Sequence, residues 1–178
     1  MNEVKLGWFK LNSRATIPTK APDNAGFDIY TVENDFILEP HTNHLFATGL
    51  AAVVEKGWWL MGVDRGSNGS KNAHIHCGVI DNNYRGEIFI CLNNDNNYPI
   101  KFTDKEKPGL YTHERRCFFR PWKKKTIIDY LVYPTTKGIA QIVLIPQPEV
   151  KSYEMSKQEW EDNKITSRGA GKLGSTGK

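Results

Sequence analysis

Two loops of the sequence combine glycine, hydroxyl and basic residues in a way that suits the binding of phosphate. The first is DRGSNGSK, residues 64–71, and the second is SRGAGKLGSTGK, residues 167–178. Glycines let the backbone approach a ligand closely, and consecutive amides with an added Arg make a good phosphate site. The first loop lacks the GxxxxGK[ST] spacing of a Walker loop. A plain surface turn and a loosely ordered chain end are the alternative interpretations.

Three polar side chains stand where they could act on such a ligand. Asp28 interrupts the strand-like run AGFDIYTVE, and Gln141 interrupts KGIAQIVLIP. Asp is disfavoured inside strands, so Asp28 is expected to pair with a partner or to hold a ligand. Gln141 could instead be turned outward by strand alternation. Asp81 lies in the turn of CGVIDNNYRGEI, where it would either stabilise the turn or serve as a general base.

Short strands must position these residues. FDIYTV, HLFATGLAAVV, HIHCGVI, EIFICL and IAQIVLIP are rich in β-branched and aromatic residues, and Gly, Pro, Asn and Asp separate them. Several short strands with frequent turns predict an all-β sandwich or barrel. One short helix is predicted over residues 156–163, SKQEWEDN, because Ser156 and Glu159 have the spacing of a capping box.

The composition predicts a single cytoplasmic domain. The 178 residues contain no apolar run near the roughly 18 that a membrane span needs, and the N-terminal stretch has no apolar signal region. Three cysteines without a CxxC pair argue against disulfides or a zinc site and suit a reducing cytosol. The net charge of +4 is local, since eight basic and two acidic residues give 105–125 a charge of +6 and leave −2 elsewhere. A general affinity for nucleic acid is therefore not expected.

Five segments resemble, in order, the five motifs of the trimeric dUTPase family, the deoxyuridine triphosphate nucleotidohydrolases. They are AGFDIY, DRGSNGSK, GVIDNNYRGEI, GIAQIVLIP and SRGAGKLGSTG, between Ala25 and Gly177. The resemblance implies a β jelly roll (β-clip) that forms a homotrimer with shared active sites. It also implies a jelly-roll domain over residues 1–166 and an arm, 167–178, that closes over a neighbouring subunit's site. The long insert and the second motif are most similar to bacteriophage members.

The resemblance assigns the third motif to uracil and deoxyribose. Gly78 and Ile80 would lie on the backbone edge that pairs with uracil, and Tyr84 would pack on the sugar and exclude a 2′-hydroxyl. Asp81 would orient and deprotonate the attacking water, and an Asp is ordinarily ionised at neutral pH, as a general base must be. Arg85 is expected to form a structural ion pair or a subunit contact.

The other motifs are implied to hold the metal and the phosphates. Asp28 would hold Mg²⁺ through a bound water, since Mg²⁺ keeps several waters and takes few carboxylates. The residues implied to contact phosphate are Arg65, Gly66, Ser67, Gln141 and Arg168. The implied reaction is in-line attack of water on the α-phosphorus of dUTP, giving dUMP and pyrophosphate. This reaction limits uracil in DNA and supplies dUMP for dTMP synthesis.

Two positions depart from the family pattern. Gly66 stands where Ser usually follows the motif Arg, and Ser67 comes one residue later. Leu173, which precedes Gly174, replaces the Phe that stacks on uracil. Leu173 and Gly174 can cover the base, but an aromatic stacking contact worth roughly 1–3 kcal/mol is lost. An aromatic residue of the insert is an alternative cover.

Residues 95–136 form an insert between the third and fourth motifs. One interpretation is a solvated loop with a small strand pair, and the other is a protein-partner surface over residues 105–125. The second is favoured by a basic run and by side chains of types common at interface hot spots, namely Phe118, Phe119, Arg120 and Trp122. Two other functions remain alternatives: a dCTP deaminase-like enzyme of the same fold, and a dUTPase-fold regulatory protein acting through the insert.

Overall fold

The computed structural model describes residues 3–76, 78–118 and 120–166. The chain divides into two compact units, Met1–Gln147 and Pro148–Lys178. The strands described are β1 Leu6–Lys10, β2 Phe27–Ile29, β3 Phe36–Leu38, β4 Asn43–Ala47, β5 Leu50–Val54, β6 Trp58–Val63, β7 Ala73–Ile75, β8 Val79–Ile80, β9 Phe89–Asn94, β10 Ile100–Phe102, β11 Gly109–Cys117, β12 Arg120–Tyr133 and β13 Ala140–Pro146. The helices described are α1 Gly66–Gly69 and α2 Lys157–Asn163.

The first unit is built from four small sheets among the described residues. Their strand orders are β2-β13-β6-β8, β4-β9-β7, β11-β12-β10-β3 and β1-β5. Pairing is antiparallel except between β10 and β12, which run parallel. The predicted all-β class is therefore confirmed.

A single hydrophobic core draws side chains from all four sheets. Ile29, Phe46, Leu50 and Phe102 are each at most 1% exposed. The rings of Phe46 and Phe102 are 4.6 Å apart between centroids. Full burial of one such side chain stabilises the fold by roughly 1.5–3 kcal/mol, so this core can hold the short strands in place.

The predicted insert has a buried base and an exposed hairpin. At the base, β10 lies between β3 and the end of β12, with Ile100 opposite Leu131 and Phe102 opposite Tyr133. All four of these side chains belong to the core. Beyond this base, β11 and β12 form an antiparallel hairpin with irregularities in register after Tyr111 and near its tip. The outer hairpin and most of residues 104–108 have the solvated character considered for the whole segment, whereas the base does not.

The second unit contains the predicted helix. Ser156 caps α2: its Oγ accepts a hydrogen bond from Glu159 N at 3.2 Å, and Glu159 Oε2 accepts one from Ser156 N at 2.8 Å. These hydrogen bonds lower the pKa of Glu159. The capping box is confirmed. In the described part of the chain, no helix is long and apolar enough to cross a bilayer.

Candidate active site

Asp28, Arg65 and Gln141 form a hydrogen-bonded group on the β2-β13-β6-β8 sheet. Arg65 donates to Asp28 twice, from Nε to Oδ1 at 3.1 Å and from Nη2 to Oδ2 at 3.0 Å. Gln141 Nε2 also donates to Asp28 Oδ1, at 3.1 Å. The charged side chains are only 23% and 26% exposed. Asp28 therefore has the partner that its place in a strand predicts, in a bidentate, charge-assisted geometry.

Strand register brings these three residues together. Gln141 lies opposite Asp28 on one side of β13 and opposite Val63, the last residue of β6, on the other. The chain continues from β6 through Asp64 to Arg65. Gly138 packs closely here, because a Cβ at this position would lie 3.0 Å from the Cβ of Asp28. We call Asp28, Arg65, Ser67 and Gln141 the cradle.

The loop at residues 64–71 is anchored to the core through Asn68. This side chain is 2% exposed, and its Nδ2 donates to the Ile139 carbonyl oxygen at 2.6 Å. The buried hydroxyl of Tyr133 lies 2.9 Å from Asn68 Oδ1 and 2.6 Å from the Gly138 carbonyl oxygen. The loop is thus a surface turn that is anchored to the core at one residue, Asn68, while Asp64, Gly66, Ser70 and Lys71 are exposed. Sequence reasoning missed Asn68 and Tyr133, since neither has a local pattern that predicts this contact.

Ser67 stays beside Arg65 although it comes one residue later than in the family pattern. Its Oγ lies 3.5 Å from Arg65 Nη1, at the outer limit of a hydrogen bond. A Cβ at Gly66 would meet no atom within 4 Å. The backbone of this loop is therefore open on the side where a ligand could approach.

The surroundings of the cradle carry an excess of positive charge. Burial alone lowers the pKa of Arg65, but the hydrogen bonds and charge of Asp28 outweigh it, so the pKa is raised. The pKa of Lys137 is lowered, first by burial and then by the positive charges of Lys71 and Arg65. Three cations with one carboxylate give a local charge of +2, which suits a polyanionic ligand.

The third-motif hairpin begins with a close approach of two glycines. Gly62 N donates to the Gly78 carbonyl oxygen at 2.6 Å, and a Cβ on Gly78 would lie 2.7 Å from the Gly62 carbonyl oxygen. Ile80 lies opposite Leu60 in the same ladder. Since strand groups alternate in direction, Gly78 and Ile80 face β6, and Val79 directs its N–H and C=O toward the outer edge of the described sheet.

Asn82 and Arg85 hold the turn of this hairpin. Asn82 Nδ2 donates to the carbonyl oxygens of Trp58 at 2.7 Å and Glu55 at 3.0 Å, which joins the turn to the start of β6. Arg85 Nη1 donates to the carbonyl oxygens of Asn82 at 2.6 Å and Tyr84 at 2.8 Å. Within the described residues, Arg85 thus stabilises its own turn instead of forming the ion pair that was one expectation; the other, a subunit contact, stays a prediction. The wider role of Asn82 was not predicted, since Asn is also a common turn former.

Asp81 and Tyr84 border a cavity of about 220 Å³. Its lining includes Leu45, Val79 and Phe89, all more than 40% exposed. The Tyr84 ring lies over Gly86, where a Cβ would come 2.5 Å from the Tyr84 hydroxyl, and this hydroxyl donates to the Glu87 carbonyl oxygen at 2.8 Å. The exposed Asp81 carboxylate has no hydrogen-bond or ion-pair partner in the described chain. A free carboxylate beside a partly apolar cavity can accept a proton from a bound water.

The turn of the hairpin, residues 81–85, lies beside the start of β6, and the cradle lies beside its end, whereas Gly78 contacts Gly62 near the cradle end. Asn82 contacts Trp58, the first residue of β6, whereas Arg65 follows Val63, the last. Five residue steps at about 3.3 Å each separate these ends by roughly 16 Å. A single chain therefore brings Asp28, Arg65, Ser67 and Gln141 together, and separately Gly78, Ile80, Asp81 and Tyr84. The predicted site residues Arg168, Leu173 and Gly174 lie outside the described residues, as does Phe119.

The sequence matches a known protein family over much of its length. The model of the family described as dUTPase matches residues 13–107. The deoxyuridine 5′-triphosphate nucleotidohydrolase of Nautilia profundicola is 30% identical over 179 residues, which cover 98% of this chain and 100% of that relative. The enzyme of the same name from Helicobacter hepaticus is 38% identical over 102 residues, covering 54% and 63% of the two chains.

Solved structures with the same fold come from bacteriophages. The Staphylococcus bacteriophage 80alpha dUTPase with dUpNHpp has a TM-score of 0.67 and 25% identity, with 98% of this chain and 99% of that chain covered. A D95N mutant of the dUTPase from phage phi11 of S. aureus, whose structure shows the coordination of a structural Mg(II) ion, has a TM-score of 0.60 and 22% identity over 86% and 99%. The arrangement of strands described above is thus the jelly roll of those proteins.

Proposed function

Because the chain belongs to the dUTPase family, we propose that its cradle and its third-motif hairpin act together on one molecule of dUTP. The chain is a dUTP diphosphatase, an enzyme that hydrolyses dUTP. The observation that carries the proposal for its site is the contrast between the two residue groups. Asp28 is already paired within the cradle, whereas Asp81 is a free carboxylate beside a cavity.

The cradle binds the phosphates through Arg65. A guanidinium has five N–H groups, and Asp28 engages two of them, which fixes the plane of the group and leaves the others for phosphate oxygens. Gln141 braces Asp28 from the other side. Ser67 and the open backbone at Gly66 complete the contact, and Arg168 of the C-terminal arm reaches the terminal phosphate. Leu173 and Gly174 of the same arm cover the base.

The hairpin provides the nucleoside site and the base catalyst. The sequence assigned the uracil-pairing edge to Gly78 and Ile80, but their backbone groups face β6. Val79 between them reads uracil, because its N–H and C=O point to the sheet edge. Asp81 takes a proton from water as the water oxygen attacks the α-phosphorus, the bond to the bridging oxygen breaks, and pyrophosphate leaves. Tyr84 packs on the deoxyribose, where a 2′-hydroxyl left without a hydrogen bond would cost about 1–3 kcal/mol.

Each complete site is formed by more than one subunit. The placement of Asp81 beside the start of β6, with the cradle beyond its other end, supports this arrangement. Asp81 must come within hydrogen-bond distance of the water that attacks the phosphate. In a homotrimer, the hairpin of one subunit lies against the cradle of its neighbour. Assembly is then a condition of catalysis rather than a means of stabilisation.

The cradle fits Mg²⁺ only through water. An ionised carboxylate offers about four lone-pair positions, and the hydrogen bonds from Arg65 and Gln141 occupy three of those on Asp28. The remaining position on Oδ2 can accept a hydrogen bond from a metal-bound water. The described residues contain no cluster of three or more His, Cys, Asp or Glu that could hold the ion directly. Bound Mg²⁺ would neutralise charge on the phosphates and on the leaving pyrophosphate.

The outer hairpin of the insert supports a second role, the docking of an acidic protein partner. Arg115 lies opposite Lys125, and Arg116 lies opposite Lys124. Like charges across a strand pair are destabilising. Lys124 pairs with Glu114 within the hairpin, and an anionic surface would relieve the repulsion that remains. Phe118 at the tip is 90% exposed. A cytoplasmic location, in the host cell if the protein is encoded by a phage, follows from the cysteine content.

One assay tests the catalytic proposal. The purified protein is incubated with dUTP, dCTP, dTTP and UTP, with and without Mg²⁺, and the products are separated. Pyrophosphate and dUMP from dUTP alone are expected, with strong dependence on Mg²⁺. Ammonia from dCTP would instead assign the dCTP deaminase reaction. Asp81→Asn should lower kcat by about 10²–10⁴, and an Asp81→Asn variant with full activity would remove Asp81 as the base.

A further inference from the structure

Lys137 is a half-buried cation beside the cradle that has no anionic partner among the described residues. A tight turn places it there: Lys137 N donates to the Pro134 carbonyl oxygen at 3.0 Å. The next residue, Gly138, packs against Asp28. The Nζ atom of Lys137 lies 5.6 Å from the centroid of the Tyr133 ring. The side chain is therefore directed along an aromatic face rather than extended into solvent.

The Tyr133 ring beneath Lys137 is hydrogen-bonded to the same loop that carries Arg65. The Tyr133 hydroxyl contacts both Asn68, in that loop, and the Gly138 carbonyl oxygen. Burial of this ring and its hydroxyl raises the pKa of Tyr133, although the Asn68 hydrogen bond opposes the effect. Tyr133 thus remains a neutral ring at physiological pH, and its face attracts an ammonium. The position of Lys137 relative to the loop is fixed by these contacts.

The charges around Lys137 favour an anion that the chain itself does not supply. The charged groups that act on it are Lys71, Arg65 and Asp28. Asp28 is already held by Arg65 and Gln141. An ammonium that is partly desolvated and faces two other cations is unfavourable in the free protein. A bound ligand of opposite charge would relieve this repulsion.

We propose that Lys137 is a further substrate-positioning residue, whose ammonium binds the pyrophosphoryl part of the nucleoside triphosphate. This inference rests on the proposed function and deepens it. Lys137 favours triphosphates over monophosphates, because its contact is with the part of the substrate that leaves. It also raises the affinity for free pyrophosphate, the product that carries the same group.

The test uses Lys137→Met with Lys20→Met as a matched control. Lys20 Nζ also lies 5.6 Å from an aromatic centroid, that of Phe27, and its hydrogen-bond partner is the Pro22 carbonyl oxygen. Lys137→Met should raise KM for dUTP and the dissociation constant of pyrophosphate about tenfold or more, as for loss of one charged hydrogen bond. The affinity for dUMP and kcat should change less than about twofold, and Lys20→Met should resemble the wild type. Lys137→Arg should recover most of the affinity.

Binding is also read without turnover, from the Tm of each protein in pyrophosphate. The wild type should gain more in Tm than Lys137→Met at the same pyrophosphate concentration. Lys137→Gln replaces the Met variant if that variant does not fold. Unchanged pyrophosphate affinity, an equal loss of dUMP affinity, or an equal effect of Lys20→Met would each overturn the inference. A wild type that fails to hydrolyse dUTP would instead refute the proposed function on which it rests.

Discussion

Replacement of Asp28 by Asn tests the paired carboxylate at the centre of the cradle. Asn keeps one acceptor oxygen, so one contact with Arg65 survives in neutral form, while the new amide group points its N–H toward donors of Arg65 or Gln141. A charge-assisted hydrogen bond contributes about 1.5–3 kcal/mol, and solvent screening reduces this because roughly a quarter of the pair is exposed. We expect the free energy of unfolding to fall by about 1–2 kcal/mol.

Thermal unfolding measures this loss. For a domain of this size, 1 kcal/mol corresponds to about 2–4 °C in Tm, so Asp28→Asn should unfold about 2–8 °C below the wild type. Asp23→Asn is the matched control, because Asp23 is an exposed acid of the same region with no side-chain hydrogen bond in the described structure. The Asp28 variant should also lose about tenfold or more in kcat/KM for dUTP, since the Arg65 plane is no longer fixed.

The two measurements separate stability from catalysis. If Asp28→Asn and Asp23→Asn unfolded at the same temperature, the bidentate pair would contribute no net stability and the magnitude above would be wrong. If kcat/KM also stayed at the wild-type value, Asp28 would have no part in aligning Arg65 or in holding a Mg²⁺-bound water.

Four other substitutions test the contacts around the site. Asn82→Ala should lower the free energy of unfolding by about 1–3 kcal/mol, because two carbonyl oxygens lose their donor. It should also lower kcat more than an equally destabilising change elsewhere, because Asn82 holds the turn that carries Asp81. An unchanged kcat would refute a role for Asn82 in aligning Asp81. Gly78→Ala should reduce Tm and activity, because its Cβ would lie 2.7 Å from the Gly62 carbonyl oxygen. Gly66→Ala should fold normally, because its Cβ would meet no atom within 4 Å. Equal Tm values for the two variants would contradict the close packing at Gly78. Tyr133→Phe should destabilise the fold by about 1–3 kcal/mol through a lost buried hydroxyl contact, and denaturant unfolding that matches the wild type would show that the contact adds nothing.

Trimming the insert tests its separate role. Thr112 lies opposite Ile128, so residues 113–127 can be replaced by an Asn-Gly turn, the strongest short hairpin former. The stacked rings of Tyr111 and Tyr130, 4.8 Å apart, stay in place and should close the shortened hairpin. We expect dUTP turnover within about twofold of the wild type, because the buried part of the insert, β10 and the end of β12, is kept. A large rise in KM would mean that the outer hairpin helps to cover the uracil of the substrate.

Local patterns predicted local structure well. The capping box needs only Ser156 and Glu159, three residues apart, and both of its hydrogen bonds are present. The strands are likewise predicted by short apolar runs with turn residues between them. Membership of the family could be predicted because five motifs in fixed order carry far more information than any one loop.

Long-range contacts were beyond sequence reasoning. The two hydrogen bonds between Asp28 and Arg65 depend on the register of three strands, of which β13 is more than 100 residues from β2. The contact of Tyr133 with Asn68 depends on a parallel pairing of β10 and β12 that no local pattern encodes. Arg85 was expected to form an ion pair or a subunit contact; within the described residues it donates to nearby carbonyl oxygens instead of a carboxylate, since a tight turn leaves several of them within reach.

The strand β12 passes from the exposed hairpin to the buried Tyr133 without a break. Its two ends are therefore under unequal selection. Residues 124–128 can accept many substitutions, because they are mostly exposed, pair with β11 and otherwise only border an open cavity beside residues 95–98. Leu131, Val132 and Tyr133 can accept few, because each fills the core or holds the 64–71 loop. Related proteins should thus diverge quickly at the hairpin and slowly at its base, so that new surface specificities can arise on this enzyme without disturbing the residues that bind phosphate.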